Sequence, residues 1–95
     1  MFIRTDIPLP NQIVQVGHVC YEAGLKFQAK NDTYLVLFRV DSEDKLREIE
    51  SWLNFNDIKT HIFFEPDNNM GYSALCTQPV SGQSRKLFKK YKLYV

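Results

Sequence analysis

The sequence is poor in the residues that staple or punctuate a chain. It has two cysteines, four glycines and four prolines among 95 residues. Cys20 and Cys76 stand apart, with no Cys-x-x-Cys and no histidine at a metal-binding spacing. That excludes a disulfide framework and a zinc site, and it fits reduced, buried thiols in a cytoplasmic protein. The scattered glycines form no phosphate-cradling loop, and no serine stands in a nucleophile-elbow motif. No apolar run approaches the ~20 residues of a membrane span. The amino end, "MFIRTDIPLPNQ", has neither the apolar core nor the cleavage pattern of an export signal. The expectation is a chain with no cofactor, no metal and no membrane partner.

A further scarcity is local. Residues 1–40 carry four basic and three acidic groups, residues 41–67 three and eight, and residues 68–95 five and none. The net charge of +1 therefore hides segment charges of +1, −5 and +5. Lys86, Lys89 and Lys90 stand in that basic tail, "SRKLFKKYKLYV". It is suited to a polyanion such as tRNA, and equally to a solvated face that keeps the protein soluble.

What is plentiful is apolar mass. Hydrophobic residues make up 44% of the chain, with seven Phe, five Tyr and one Trp, enough for one core in one domain over 1–95. "MFIRTD" reads as a first strand ending at Asp6. Ile13, Val16, Gly17, Cys20 and Gly24 recur at helical steps between Asn11 and about Leu25, and the small residues on that stripe suggest close packing on a sheet. "AKNDT" reads as a turn, and "YLVLFRV", Tyr34 to Val40, as an interior strand covered on both faces. Asp41 or Ser42 can cap a second helix with Leu46, Ile49 and Leu53 on its inner face. "KTHIFFE" and "YSALCTQ" read as strands of a hairpin, and Ser81 opens a short helix carrying Leu87, Phe88 and Tyr91. The order β-α-β-α-β-β-α predicts an α/β fold, a three-layer α/β/α domain with a mixed four-stranded sheet. Tyr34, Phe38, Phe63, Phe64 and Tyr72 then belong to the core rather than to a base-stacking platform.

Two places can carry chemistry. On the first helix Asn11, Gln15, His18 and Glu22 fall at i, i+4, i+7 and i+11 and form one polar stripe. Such a stripe is what the solvent face of a half-buried helix looks like. It is also a setting in which a histidine, flanked by a carboxamide and a carboxylate, serves as general base. In "FFEPDNNMG", Glu65 and Asp67 leave a strand into a turn with Asn68. These are ordinary hairpin residues, or carboxylates that orient a histidine or a water. His18 within hydrogen-bond reach of Glu65 or Asp67 in an open cleft would favour the enzyme; the stripe capped by another subunit would favour an interaction role.

Several fragments in order resemble the type-2 peptidyl-tRNA hydrolases. They are "RTD" closing the first strand, Gln15-x-x-His18 on the next helix, "SALCTQP" as a late strand, and "YKLY" near the end. The resemblance implies a mixed four-stranded sheet with helices on both faces, a homodimer, and hydrolysis of the ester joining a peptide to the 3′ end of tRNA. It implies catalytic roles for Gln15 and His18, and for Glu65 or, two residues on, Asp67. Asn11 and Asn68 would meet the substrate, and Lys86, Lys89 and Lys90 the tRNA phosphates. Asn11 stands where the family has a lysine, so the alternative is a non-catalytic tRNA- or protein-binding module on the same fold.

Overall fold

The computed structural model describes residues 1–29 and 34–95. Within them the elements are β1 (Phe2–Arg4), α1 (Leu9–Phe27), β2 (Phe38–Val40), α2 (Glu43–Phe55), β3 (Thr60–Glu65) and β4 (Gly71–Thr77). A 3-10 turn, Asp67–Asn69, joins β3 to β4, and a 3-10 segment, Gly82–Phe88, follows β4. Most of the turn expected at "AKNDT" lies outside the described residues.

The four strands make one mixed sheet in the order β2-β1-β4-β3. β1 and β2 are parallel, as the crossover through α1 requires, and β4 runs antiparallel to both β1 and β3. α1 covers one face, over Ile3, Ile7, Val19, Met70 and Ala74. α2 and the carboxyl-terminal segment cover the other, over Phe2, Phe38, Leu46, Ile49, Leu53, Ile58 and Leu75. The domain is therefore α/β/α in three layers. The central strands show it residue by residue, since Phe2, Ile3, Ala74 and Leu75 are all fully buried with alternate side chains on opposite faces.

α2 forms as its sequence dictates. Ser42 is the N-cap, its hydroxyl accepting from the Lys45 amide at 3.2 Å, and Glu43 and Asp44 occupy the first turn. Leu46, Ile49 and Leu53 are buried, as their spacing predicts.

Two expectations are corrected. Tyr34 to Val40 is not an interior strand. Only Phe38–Val40 pairs with β1, at the edge of the sheet, while Tyr34, Leu35 and Val36 are exposed. An apolar, β-prone run signals strand conformation without fixing strand order, and the late strand β4 takes the central place beside β1. The outer edge of β2 is closed by the chain's end instead. Phe38 bridges Leu93, the Arg39 amide donates to Lys92 O, and the Tyr94 amide donates to Leu37 O.

The second correction concerns α1. Its buried residues are Gln12, Gln15, Val19 and Ala23, with Val16 and Cys20 beside them, whereas Ile13, Gly17 and Gly24 face outward. The helix is rotated so that its polar stripe lies along β3. Gln15 bonds Glu65, His18 stacks on Phe63, Glu22 bonds His61, and Lys26 Nζ donates to Thr60 O. These are four successive rungs down the helix and back up the strand. The polar contacts fix the helix against β3, while Val19 and Ala23, with Val16 and Cys20 beside them, supply its apolar packing. Of the aromatics assigned to the core, Phe38 is buried, Phe63 and Tyr72 are half-buried, and Tyr34 and Phe64 are exposed.

Candidate functional site

The site begins with a fault in the ladder. Phe63 pairs with Ala74 and Phe64 with Tyr72, so Ser73 is the extra residue of a β-bulge in β4. The bulge turns Ser73 toward α1, where its hydroxyl donates to Gln15 Oε1 at 2.6 Å. Gln15 Nε2 in turn donates to Glu65 Oε2 at 3.1 Å. Ser73 is fully buried and Gln15 is 3% exposed, so this carboxamide has its orientation fixed by the hydroxyl behind it.

Glu65 is bound from two sides. Its other oxygen accepts the Asp67 amide at 3.2 Å. The Gln15 bond first, then the Asp67 amide and the nearby His18, hold its carboxyl below the ordinary glutamate range. The turn that supplies this amide needs left-handed backbone at Asn68 and Asn69 (φ 57° and 53°), which asparagine tolerates. Gly71 (φ 75°) then enters β4 against the Glu43 carboxylate, which accepts the Tyr72 amide at 2.7 Å.

Between the first turns of α1 and this turn lies an open cleft of about 270 Å³, lined by Pro10, Asn11, Val14, Gln15, Glu65, Asp67, Asn68 and Met70. Five residues singled out in the sequence, Asn11, Gln15, Glu65, Asp67 and Asn68, are thus brought together. His18 lies one turn further along α1. Its ring stacks on Phe63 with centroids 4.7 Å apart, and among the described residues it makes no hydrogen bond. The direct contact with Glu65 or Asp67 that would favour an enzyme is therefore not made, and His18 is not part of the cleft lining. His61, the other histidine, bonds Glu22 at 2.6 Å and stays outside the cleft.

Behind the cleft, Arg4 anchors the turn. Its guanidinium grips Asp6 through Nε and NH2, at 2.9 and 2.8 Å, and donates from NH1 to the carbonyls of Met70 and Tyr72. This bond lowers the Asp6 carboxyl pKa. Arg4 is thereby fully committed, and the lining of the cleft holds no cation.

Lys86, Lys89 and Lys90 lie elsewhere. Their segment packs through Leu87, Phe88 and Tyr91 on the α2 side of the sheet, the face opposite α1, and Lys90 Nζ sits over the Trp52 ring at 3.3 Å from its centroid. They do not join the cleft. Sequence reasoning missed Ser73, whose role depends on a bulge that no local signal announces. It also missed Gln12, which is buried, donates to Ile7 O and accepts from Tyr94 Oη.

Among the described residues no helix is long and apolar enough to cross a membrane, and no cluster of His, Cys, Asp and Glu is arranged to hold a metal. Fold and cleft together define a three-layer α/β/α domain with a carboxylate-and-carboxamide cleft at one end of its sheet. No family model, curated protein or solved structure matches the chain.

Proposed function

We propose that the chain is a compact hydrolase of the peptidyl-tRNA hydrolase type, cleaving the ester between a peptide and the 3′ end of tRNA in a reducing, cytoplasmic compartment. The observation that carries this reading is the convergence of Asn11, Gln15, Glu65, Asp67 and Asn68, drawn from two distant parts of the chain, on one open cleft, with His18 one turn along α1 outside its lining. The free thiols Cys20 and Cys76 support the compartment.

In this reading the ester carbonyl lies in the cleft, and His18 takes a proton from a water that attacks the carbonyl carbon. Glu65, held ionised by Gln15, stabilises the imidazolium through a bridging water. The carboxamides of Asn11 and Asn68 donate to the oxyanion in place of a cation. The intermediate then collapses by breaking the bond to the ribose 3′ oxygen, which leaves with the proton from His18. Gln15 and Ser73 act as positioning residues. Incubation of the purified chain with N-acetyl-aminoacyl-tRNA tests the reading. Release of the acyl group above the spontaneous rate, lost in His18→Ala, is expected. Release at the spontaneous rate, or undiminished release from His18→Ala, would overturn it.

A second reading, a non-catalytic tRNA-binding module, is favoured by one observation. The basic segment lies on the face opposite the cleft, so polyanion binding and the cleft are separable. It requires tRNA affinity that falls steeply with salt and depends on Lys86, Lys89 and Lys90, with no ester cleavage.

A further inference from the structure

The sheet is closed on one edge and open on the other. Residues 92–94 cover β2, whereas among the described residues nothing pairs with the outer side of β3. The Gln78 amide donates to Lys59 O. In the antiparallel register that follows, His61 and Phe63 turn their backbone groups toward β4, and Thr60 and Ile62 turn theirs outward. Phe64 joins them beyond the bulge, because Tyr72, opposite it, bonds Glu43 and Arg4 instead. Thr60 O is already taken, accepting from Lys26 Nζ at 3.0 Å. The free groups of Ile62 and Phe64 therefore lie between that lysine and Glu65, on a strand, "THIFFE", with no proline to discourage a further one.

Both layers overhang this edge with apolar and aromatic side chains. Gln15, His18, Glu22 and Lys26 of α1 lie over β3, and Leu9, Val16 and Cys20 lie toward β1. Helical geometry then puts Val14, Tyr21 and Leu25, at i, i+7 and i+11, beyond the contacts with β3 on the flank away from β4. They are 53, 72 and 61% exposed. On the α2 side Phe64, 52% exposed, meets the Tyr72 ring edge-on at 5.0 Å, and Arg47 covers that ring. An extended chain fits between the two layers as a fifth strand, with alternate side chains against α1 and against Phe64.

The edge runs into the cleft. Glu65 ends β3 and lines the cleft, and Val14 belongs both to the overhanging flank and to the cleft wall. We propose that the peptide moiety of the substrate ester is bound as a strand added to β3, its carboxyl-terminal residue in the cleft and its amino end toward Lys26; this rests on the hydrolase reading of the cleft. The added strand runs parallel to β3, because the cleft lies at the carboxyl end of β3. At ~3.3 Å per residue, the distance from Glu65 back to Thr60 takes about four or five peptide residues. Main-chain pairing suits such a substrate, since peptides of any sequence present the same N–H and C=O groups. A nucleic acid has no such alternation of donors and acceptors, and it finds no counter-charge on Val14, Tyr21 and Leu25.

Binding and cleavage are measured separately. The first probe is N-acetyl-Thr-Val-Thr-Val-Thr-amide, titrated into the full, isotope-labelled chain. The backbone amide signals of Ile62 and Phe64 are expected to shift to saturation, and those of His61 and Phe63, already bonded to β4, to move less. Ile62→Pro removes an outward N–H without breaking the ladder to β4, and Tyr21→Glu charges the overhang from outside the fold. Each should raise the dissociation constant at least tenfold with the circular dichroism kept. The second probe is a series of peptidyl-tRNAs carrying one to eight residues. Their kcat/KM should rise with each residue up to about five and then level, and both variants should flatten the rise. One rate for every length, or a peptide amide that leaves Ile62 and Phe64 unmoved, would overturn the proposal and leave the hydrolase reading standing. Binding on the edge with no ester release would overturn the hydrolase reading and with it the identity of the peptide, while the strand-addition site stands. Self-association that Ile62→Pro abolishes would put a second copy on the edge and overturn the proposal.

Discussion

Ser73 donates its hydroxyl hydrogen to Gln15 Oε1 at 2.6 Å across 58 residues of sequence. The bond ties a bulge in a central strand to the helix that lines the cleft, and it leaves Gln15 Nε2 free for one purpose, the Glu65 carboxylate.

Ser73→Ala removes the partner that a buried carboxamide oxygen has among the described residues. It should cost about 1–3 kcal/mol in urea unfolding, and it should slow ester release as well, because Gln15 is then free to turn. Equal activity in the folded variant would show that Gln15 needs no fixed orientation.

Glu65 responds to the same chain of bonds. Its carboxyl is held low chiefly by Gln15, so Gln15→Ala should move its midpoint up toward that of an ordinary glutamate. An NMR titration of the side-chain carboxyl reads this directly. A midpoint unchanged in Gln15→Ala would mean that the Asp67 amide alone sets it.

Asp6 provides a test in pH. Arg4 lowers its folded-state pKa, so the stability it contributes is present above the ordinary aspartate value and is lost as pH falls through the lower, folded value. Asp6→Asn should cost about 1 kcal/mol near neutrality, since the carboxylate is 38% exposed, and should match the wild type in strong acid. Arg4→Met should cost more, about 3 kcal/mol, because it strands the Met70 and Tyr72 carbonyls together with Asp6. Parallel pH curves for wild type and Asp6→Asn would contradict the account.

Gly71→Ala should be among the most damaging single-methyl changes in the chain. The position is left-handed, and the new Cβ would collide with the Glu43 carboxylate. A loss of roughly 1–3 kcal/mol is expected from the backbone alone, together with loss of the Glu43 bond to the Tyr72 amide, read as a fall in Tm.

The two histidines should separate function from stability. His18→Ala should abolish ester release with little change in unfolding. His61→Gln should weaken the bond to Glu22 and leave release intact, because His61 lies at the other end of β3 from Glu65. Loss of release in both variants would point to a general disturbance of α1.

Much of this was readable from the sequence because it depends on local chemistry. The cap at Ser42, the period of Leu46, Ile49 and Leu53, and the turn residues around Asn68 all act within a few positions of themselves. Asn11, Gln15, Glu65, Asp67 and Asn68 could be grouped because element order alone brings the start of α1 near the β3–β4 turn. What could not be read was decided by distant partners. Gln12 and Gln15 look like surface residues until Tyr94, Ser73 and Glu65 are set beside them, and with them goes the rotation of the whole helix. The edge position of β2 was hidden for the same reason, since β4, near the end of the chain, decides which strand is central.

The bridge between Phe38 and Leu93 also has a consequence for synthesis. β2 is held on one side by residues 1–4 and on the other by residues 92–94, so the earliest and latest parts of this segment to leave the ribosome are laid on either flank of one strand. Until the latter emerge, the nascent chain carries an unpaired strand edge flanked by the apolar side chains of Leu35 and Val36. That is the form in which chains associate wrongly. Translation that stops a few residues short of Leu93 should therefore yield a sticky product rather than a slightly weaker fold.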